Sequence, residues 1–198
     1  MKRQSTLFCC LLAAALLIAC APAVFADVIA IGSKMENFSL PNTSGKVSTL
    51  SDLKGKNGAV IVFLSAQCPV VRGYNERISR IAAEYEAKGI RFVGINSNAT
   101  ESLDWVKGNA AENYKFPVLI DKGNVLADKL GASVTPEIFL IDANNVLVYH
   151  GAVDNDRSGG NITKPYLRSA LDAVIGGKKV EITEINAFGC SIKRVGDK

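Results

Sequence analysis

"FLSAQCPVVRGYNER", Phe63 to Arg77, runs from an apolar stretch into Cys-Pro and then into a helical pattern. Upstream, Ala59 to Ser65 is a continuous β-rich apolar run, the pattern of a central strand covered on both faces. Pro69 stands where a first helical residue is expected, a place proline tolerates because an N–H there has no intrahelical partner. Val71, Tyr74, Ile78, Ile81, Ala82 and Tyr85 then recur at helical spacing. Gly89 ends the helix, with Lys88 in its last turn. The stretch predicts a strand, a cysteine at a helix N-terminus, and a helix. Cys68 is therefore a candidate nucleophile, although Val71 stands where a second cysteine three residues on would be.

The elements on either side extend the pattern. Phe38 to Leu40 is a short strand and Asn42 to Gly45 has turn chemistry, with Val47 and Leu50 resuming the apolar positions, so a β segment precedes the main unit. Ile90 to Asn96 is a second apolar strand, and Ser102 to about Ala111 a helix with Leu103, Val106 and Ala110 on one face. "FPVLID" is a third strand, and Val125 to Leu130 a short helix closed by Gly131. "EIFLIDANNVLVYHG" reads as two strands joined by a turn at Asp142 to Asn145. A last helix begins near Pro165 and stops at Gly176. Alternating strands and helices followed by a hairpin and a helix predict an α/β fold, a central mixed sheet with helices on both faces.

At 198 residues, 48% of them hydrophobic, the chain has the size of one domain with a substantial core. A net charge of +4 without a basic run or aromatic-studded basic stretch argues against a nucleic-acid partner. The single histidine, His150, disfavours a histidine-rich metal site and leaves a Ser-His-Asp triad only if it is the base. Lys2 and Arg3 followed by the apolar Leu7 to Ala19 and the small residues ending at Ala26 form an export signal. Its apolar part is shorter than the ~20 residues of a bilayer span, so no stable membrane span is expected. "LIAC", Leu17 to Cys20, also fits a bacterial lipoprotein cut, with lipidation on Cys20. "CAPAVFA" fits ordinary cleavage after Ala26 better, because no polar tether follows Cys20. Cleavage there leaves two of the five cysteines, Cys68 and Cys190, in an oxidising compartment that permits a bridge. The expected layout is a signal at 1–26, a main domain at 32–178 and a tail at 179–198 that carries Cys190.

From Gly32 to Gly176 the chain resembles the thioredoxin-like superfamily. "VIVFLSAQCPVV" has that fold's layout at the active cysteine, and "VTPEIFLID" is similar to its threonine-proline segment before the hairpin. The resemblance implies a cis peptide bond at Thr135-Pro136 and a free backbone there that holds a partner's extended chain. The sequence is most similar to the exported redoxins related to alkyl hydroperoxide reductase and peroxiredoxins. It carries their Cys68-Pro69 with Val71, Tyr74 and Arg77, and "FGCSIKR" from Phe188 to Arg194. It departs from dithiol thioredoxins at Val71, and at Gln67 where they have tryptophan. It departs from peroxiredoxins at Ile61, where their proline would stand, and has no match to their distant arginine. Ser65 does fit their hydroxyl position, three residues before Cys68.

A thiol attacks as its thiolate, which a helix N-terminus favours, with Arg72 one turn on to assist. The bland alternative for Cys68 is a buried, inert cysteine. Cys190 is a resolving thiol, a bridge partner of Cys68, or a tail residue without a role; a bridge needs Cα atoms about 4.4–6.8 Å apart. His150 reads as strand packing and Trp105 as core. Tyr74 and Arg77 shape the site's rim or pack the helix. "DNDRSGG", Asp154 to Gly160, lacks the spacing of a calcium loop and reads as a solvated loop.

Three functions follow as expectations. The first is an exported thiol-disulfide oxidoreductase. In it Cys68 attacks a protein or small-molecule disulfide, Cys190 resolves, Thr135 and Pro136 hold the partner and Ser65 bonds the sulfur or an attacked oxygen. It requires an electron donor that the sequence does not name. The second is a thiol peroxidase oxidised at Cys68. The third is a non-catalytic module with a structural disulfide. No cofactor motif is present, and none is expected.

Overall fold

The computed structural model describes residues 28–197. The expected signal peptide, with Cys9, Cys10 and Cys20, lies outside these residues. In chain order the elements are β1 (Ser39–Pro41), β2 (Val47–Thr49), α1 (Leu50–Leu53), β3 (Gly58–Leu64), α2 (Pro69–Glu86) and β4 (Ile90–Asn96). There follow α3 (Leu103–Asn113), β5 (Val118–Ile120), α4 (Val125–Leu130) and β6 (Val134–Thr135). β7 (Glu137–Asp142), β8 (Leu147–Gly151), α5 (Tyr166–Ile175) and β9 (Cys190–Ser191) complete the chain.

Five strands form the main sheet in the order β5-β4-β3-β7-β8. β3, β4 and β5 run parallel, and β7 and β8 are antiparallel to their neighbours. This is the thioredoxin-like fold. β1 and β2 make the small N-terminal hairpin. The period-2 alternation of β3 divides the core between the two faces. Val60, Val62 and Leu64 pack with Val71, Tyr74 and Ile78 of α2 and with Leu167 and Leu171 of α5. Ala59, Ile61 and Phe63 pack on the other face with Leu50 of α1 and with Leu126 and Leu130 of α4. Every residue of β3 is buried, and each large apolar side chain so covered contributes about 1.5–3 kcal/mol before entropy is counted.

Local signals place the boundaries. Thr49 and Asp52 form a capping box on α1. Gly131 closes α4 at φ +73°, a left-handed cap that glycine adopts without a Cβ penalty. The Asp142 carboxylate accepts the N–H groups of Asn144 and Val146 and shapes the β7–β8 turn.

Two expectations fail in the helices. Trp105, expected in the core, is 60% exposed, and Leu103, expected on the packed face, is 52% exposed. α3 packs beside α2, with Val106 its one buried residue, and its first turn is exposed and capped by the Ser102 hydroxyl, which accepts the Trp105 N–H. A three-residue apolar face at helical spacing does not say how much of a helix meets the sheet. α2 also stops at Glu86, so Lys88 lies in the turn beyond it.

Candidate redox site

The site lies at the C-terminal ends of β3 and β4, the end at which open α/β sheets gather their loops. β3 ends at Leu64, the chain turns through Ser65, Ala66 and Gln67, and Cys68 is the N-cap of α2 with Pro69 after it. The turn is held by Glu101, from the loop after β4. Its carboxylate accepts the Ser65 hydroxyl at 2.5 Å, the Gln67 N–H at 2.9 Å, the Ala66 N–H at 3.0 Å and the Asn96 amide at 2.6 Å. Ser65 Oγ in turn accepts the Cys68 N–H at 3.1 Å. Ser65, expected at the sulfur, is thus committed to the backbone beneath it. Four donors converging on one acceptor pair suit a carboxylate, which has about four lone-pair sites and no proton to place.

Cys68 is 3% exposed, and its sulfur is bonded to Cys190 across 122 residues, with Cα atoms 5.9 Å apart. No side chain caps α2, so the first amides of the helix that Cys68 opens have no side-chain partner. The peptide bond between Thr135 and Pro136 is cis, and Thr135 O lies 3.4 Å from Cys68 Sγ. That carbonyl can accept the thiol proton when the bridge is reduced. Arg72, expected to assist the thiolate, is exposed; its backbone N–H bonds Cys68 O at 3.1 Å.

The groove beside Thr135, expected to receive an incoming chain, holds the protein's own tail. Thr135 pairs with Cys190 and Val134 with Ser191, antiparallel. Gly189 passes so close that a Cβ on it would sit 1.9 Å from Thr135 O, so glycine alone fits. Phe188 lies over Tyr74 with ring centroids 6.2 Å apart.

Behind Tyr74 is a buried polar cluster. Tyr74 donates to Asp154 Oδ1 at 3.2 Å, and Arg77 meets Asp154 Oδ2 at 2.8 Å and the carbonyls of Asp156 and Arg157 at 2.8 and 2.9 Å. Burial and the Asp154 carboxylate push the Tyr74 phenol well above its ordinary pKa. The loop is solvated as expected from Asn155 to Gly160, but it is anchored at its start, where Asp154 is only 3% exposed. Its other carboxylate, Asp156, is held down to about 2 by the N–H of Asn161 and by the hydroxyl and N–H of Ser158. Both carboxylates serve the fold. Among the described residues no group of three or more His, Cys, Asp or Glu converges as a metal site.

His150 packs on Phe139 and links sheet to site. Its Nε2 is 2.7 Å from Glu137 Oε1, and Glu137 Oε2 accepts the N–H groups of Ser133 and Val134, just before the cis proline. Burial alone lowers the His150 pKa, but the Glu137 and Glu184 carboxylates outweigh it and raise it above its ordinary 6.5. A raised folded value stabilises the fold fully below the unfolded pKa, and that contribution is lost as pH rises through the folded value. Between about pH 6 and about pH 9 the wild type is expected to lose more stability than His150→Gln, since histidine ordinarily titrates near 6.5. Urea midpoints of the two proteins at both pH values check this, and parallel pH dependences would refute it.

Glu101 and Glu137 were not singled out from the sequence, and Asp154 only as the start of a solvated loop. Glu101 had a signal: β3 and β4 read as consecutive parallel strands, whose C-terminal loops must meet. The roles of Glu137 and Asp154 had none, because His150 and Arg77, which pair with them, lie on other elements.

A cysteine that caps a long helix just after a central strand, beside a cis proline next to a five-stranded mixed sheet, can be compared with known proteins. The family described as AhpC/TSA family matches residues 31–150. This chain belongs to the AhpC/TSA family. It is 31% identical over 120 residues to thiol-disulfide oxidoreductase ResA of Bacillus thuringiensis (strain Al Hakam), covering 60% of this chain and 67% of that protein. It is 32% identical over 127 residues to thiol:disulfide interchange protein DsbE of Yersinia pestis, covering 63% of each. A solved structure of a hypothetical protein from Sinorhizobium meliloti 1021 superposes with a TM-score of 0.79 at 35% identity, covering 86% of this chain and 98% of that one. Among the described residues no helix is long and apolar enough to cross a membrane.

Proposed function

We propose that this chain is a thiol-disulfide oxidoreductase whose redox couple is the Cys68–Cys190 pair. The observation that carries it is the pairing of a helix-capping cysteine with a second one seated beside cis-Pro136. The names of the ResA and DsbE relatives support the same chemistry. Cys68 is the sulfur best placed to exist as a thiolate, because it stands at the N-terminus of α2, which no side chain caps. Thr135 and Pro136 seat the sulfur that Cys68 exchanges with, and Ser65 holds the Cys68 backbone. The substrate is a protein or small-molecule disulfide or thiol, and the electron donor is a dithiol.

Peroxide reduction is the weaker choice. The Ser65 hydroxyl is occupied by Glu101 and by the Cys68 N–H, and Ile61 is a buried strand residue where a peroxidatic proline would stand. A bridge of this kind persists in an oxidising compartment. That supports an exported protein, periplasmic or secreted, with 1–26 as its signal, lipidation at Cys20 as a variant of export, and the 179–198 tail working as part of the 32–178 domain.

Turnover tests the proposal. The full chain is expected to accelerate reduction of insulin disulfides by dithiothreitol, and Cys68→Ser and Cys190→Ser are each expected to return the rate to background. Retention of the rate in either variant would refute the couple, and a bridge that opens only on unfolding would make it a staple.

A further inference from the structure

The two sulfurs of the couple are not equally placed. Cys68 is 3% exposed and belongs to the packed core around Leu64 and Val71, whereas Cys190 is partly exposed between exposed Gly189 and Ser191. A thiolate attacks a disulfide in line with the bond it breaks. An attacker on Cys68 must therefore come from the side away from Cys190, which is the protein interior. An attacker on Cys190 comes from the tail's outer surface.

The tail is also held by contacts that do not depend on the bridge. Ile192 is 4% exposed and its N–H bonds Ser133 O at 2.9 Å. The Lys193 N–H reaches Asn98 Oδ1 at 3.0 Å, and Lys193 O accepts the Ala99 N–H at 2.9 Å. The Val195 N–H meets Asn124 Oδ1 at 2.9 Å. Upstream, the His150 N–H bonds Thr183 O and the Ile185 N–H bonds His150 O, at 2.9 and 3.1 Å. Anchors on both sides of Cys190 keep it over Cys68 after reduction, and β9 keeps the Thr135 groove closed to another strand.

We propose that external thiols and disulfides exchange at Cys190, with Cys68 as the internal leaving and resolving sulfur. This rests on the oxidoreductase function above. In the reductive direction, one thiolate of a dithiol donor attacks Cys190 Sγ. The Cys68–Cys190 bond breaks, and Cys68 leaves as a thiolate at the N-terminus of α2. The donor's second thiolate then attacks its own sulfur in the mixed disulfide. Cys190 is released as a thiolate that takes a proton from solvent, and the donor ends as a disulfide. In the oxidative direction, the Cys190 thiolate attacks a substrate disulfide and expels one substrate thiolate. Cys68 then attacks Cys190 Sγ, expels the other and closes the bridge. The substrates are thiols and disulfides presented at a surface or free in solution, rather than peptides laid along Thr135.

The test is to treat the oxidised full chain briefly with glutathione, quench with acid, alkylate free thiols and map the peptides. Glutathione is expected on Cys190 and the alkyl group on Cys68. As a second measurement, reduced Cys68→Ser is expected to react with glutathione disulfide at least about tenfold faster than reduced Cys190→Ser, as sulfur access dictates. Glutathione chiefly on Cys68, or equal rates in the two variants, overturns the order of exchange and leaves the redox couple standing. No adduct on either cysteine until urea is added overturns both.

Discussion

Reducing the Cys68–Cys190 bridge is expected to lower the free energy of unfolding by about 4–5 kcal/mol while the folded tail stays in place. The closed loop spans 122 residues, and the chain-entropy model assigns a loop of that length a stabilisation of about 4–5 kcal/mol, acting on the unfolded chain. Nothing in that effect requires the native tail to loosen, because Ile192, Lys193 and Val195 keep their backbone partners at Ser133, Asn98 and Asn124. Urea unfolding of the oxidised and reduced protein measures the first part. Hydrogen exchange at the Ile192, Lys193 and Val195 amides measures the second, since protection reports local opening. Retained protection with a large fall in stability matches the expectation. Loss of protection on reduction would mean that the bridge alone holds the tail. Cys68 would then be open in the reduced protein, and exchange at Cys190 would lose its basis.

Asp154→Ala is expected to destabilise the protein by about 3–5 kcal/mol, the usual cost of removing one partner of a buried ion pair. The side chains of Arg77 and Asp154 are 10% and 5% exposed and 2.8 Å apart. Deleting the carboxylate leaves the guanidinium buried with two carbonyls and no counter-charge. Arg77→Met combined with Asp154→Leu is expected to recover much of the loss, because it removes both charges and keeps apolar volume. The same carboxylate accepts the Tyr74 hydroxyl, and Phe188 of the tail lies over Tyr74. Asp154→Ala should therefore also speed reduction of the bridge by glutathione. Calorimetry and the reduction rate together check this. A loss under about 1 kcal/mol would place the pair with solvent-screened surface bridges.

The elements that carry the site were legible because their signals are local. The buried run of β3, Pro69 at the start of α2, the Asp142 turn and Gly131 after α4 each depend on a few neighbouring residues. The mixed character of the sheet follows from the alternation of strands and helices before a final hairpin, whereas the strand order β5-β4-β3-β7-β8 is set by tertiary pairing. The exposure of Trp105 was not legible because burial depends on which residues of a helix meet its neighbours, which periodicity does not encode. The Asp154–Gly160 loop is solvated as its composition suggests, but the burial of Asp154 itself was not legible, because its guanidinium partner lies 77 residues upstream on α2.

By itself the sequence determined that Cys68 would cap a helix at the end of a central strand, and that a threonine-proline segment would precede the hairpin. It named Cys190 as a cysteine with several possible roles. Only the tertiary structure decided among them, because covalent and hydrogen-bonded partners are chosen by distance in space. The tail lies antiparallel to Thr135, sets Cys190 5.9 Å from Cys68 by Cα, and covers the buried sulfur. The same is true of the Glu101 clamp, in which three donors from the loop after β3 and one from the end of β4 meet one carboxylate that no local pattern marks.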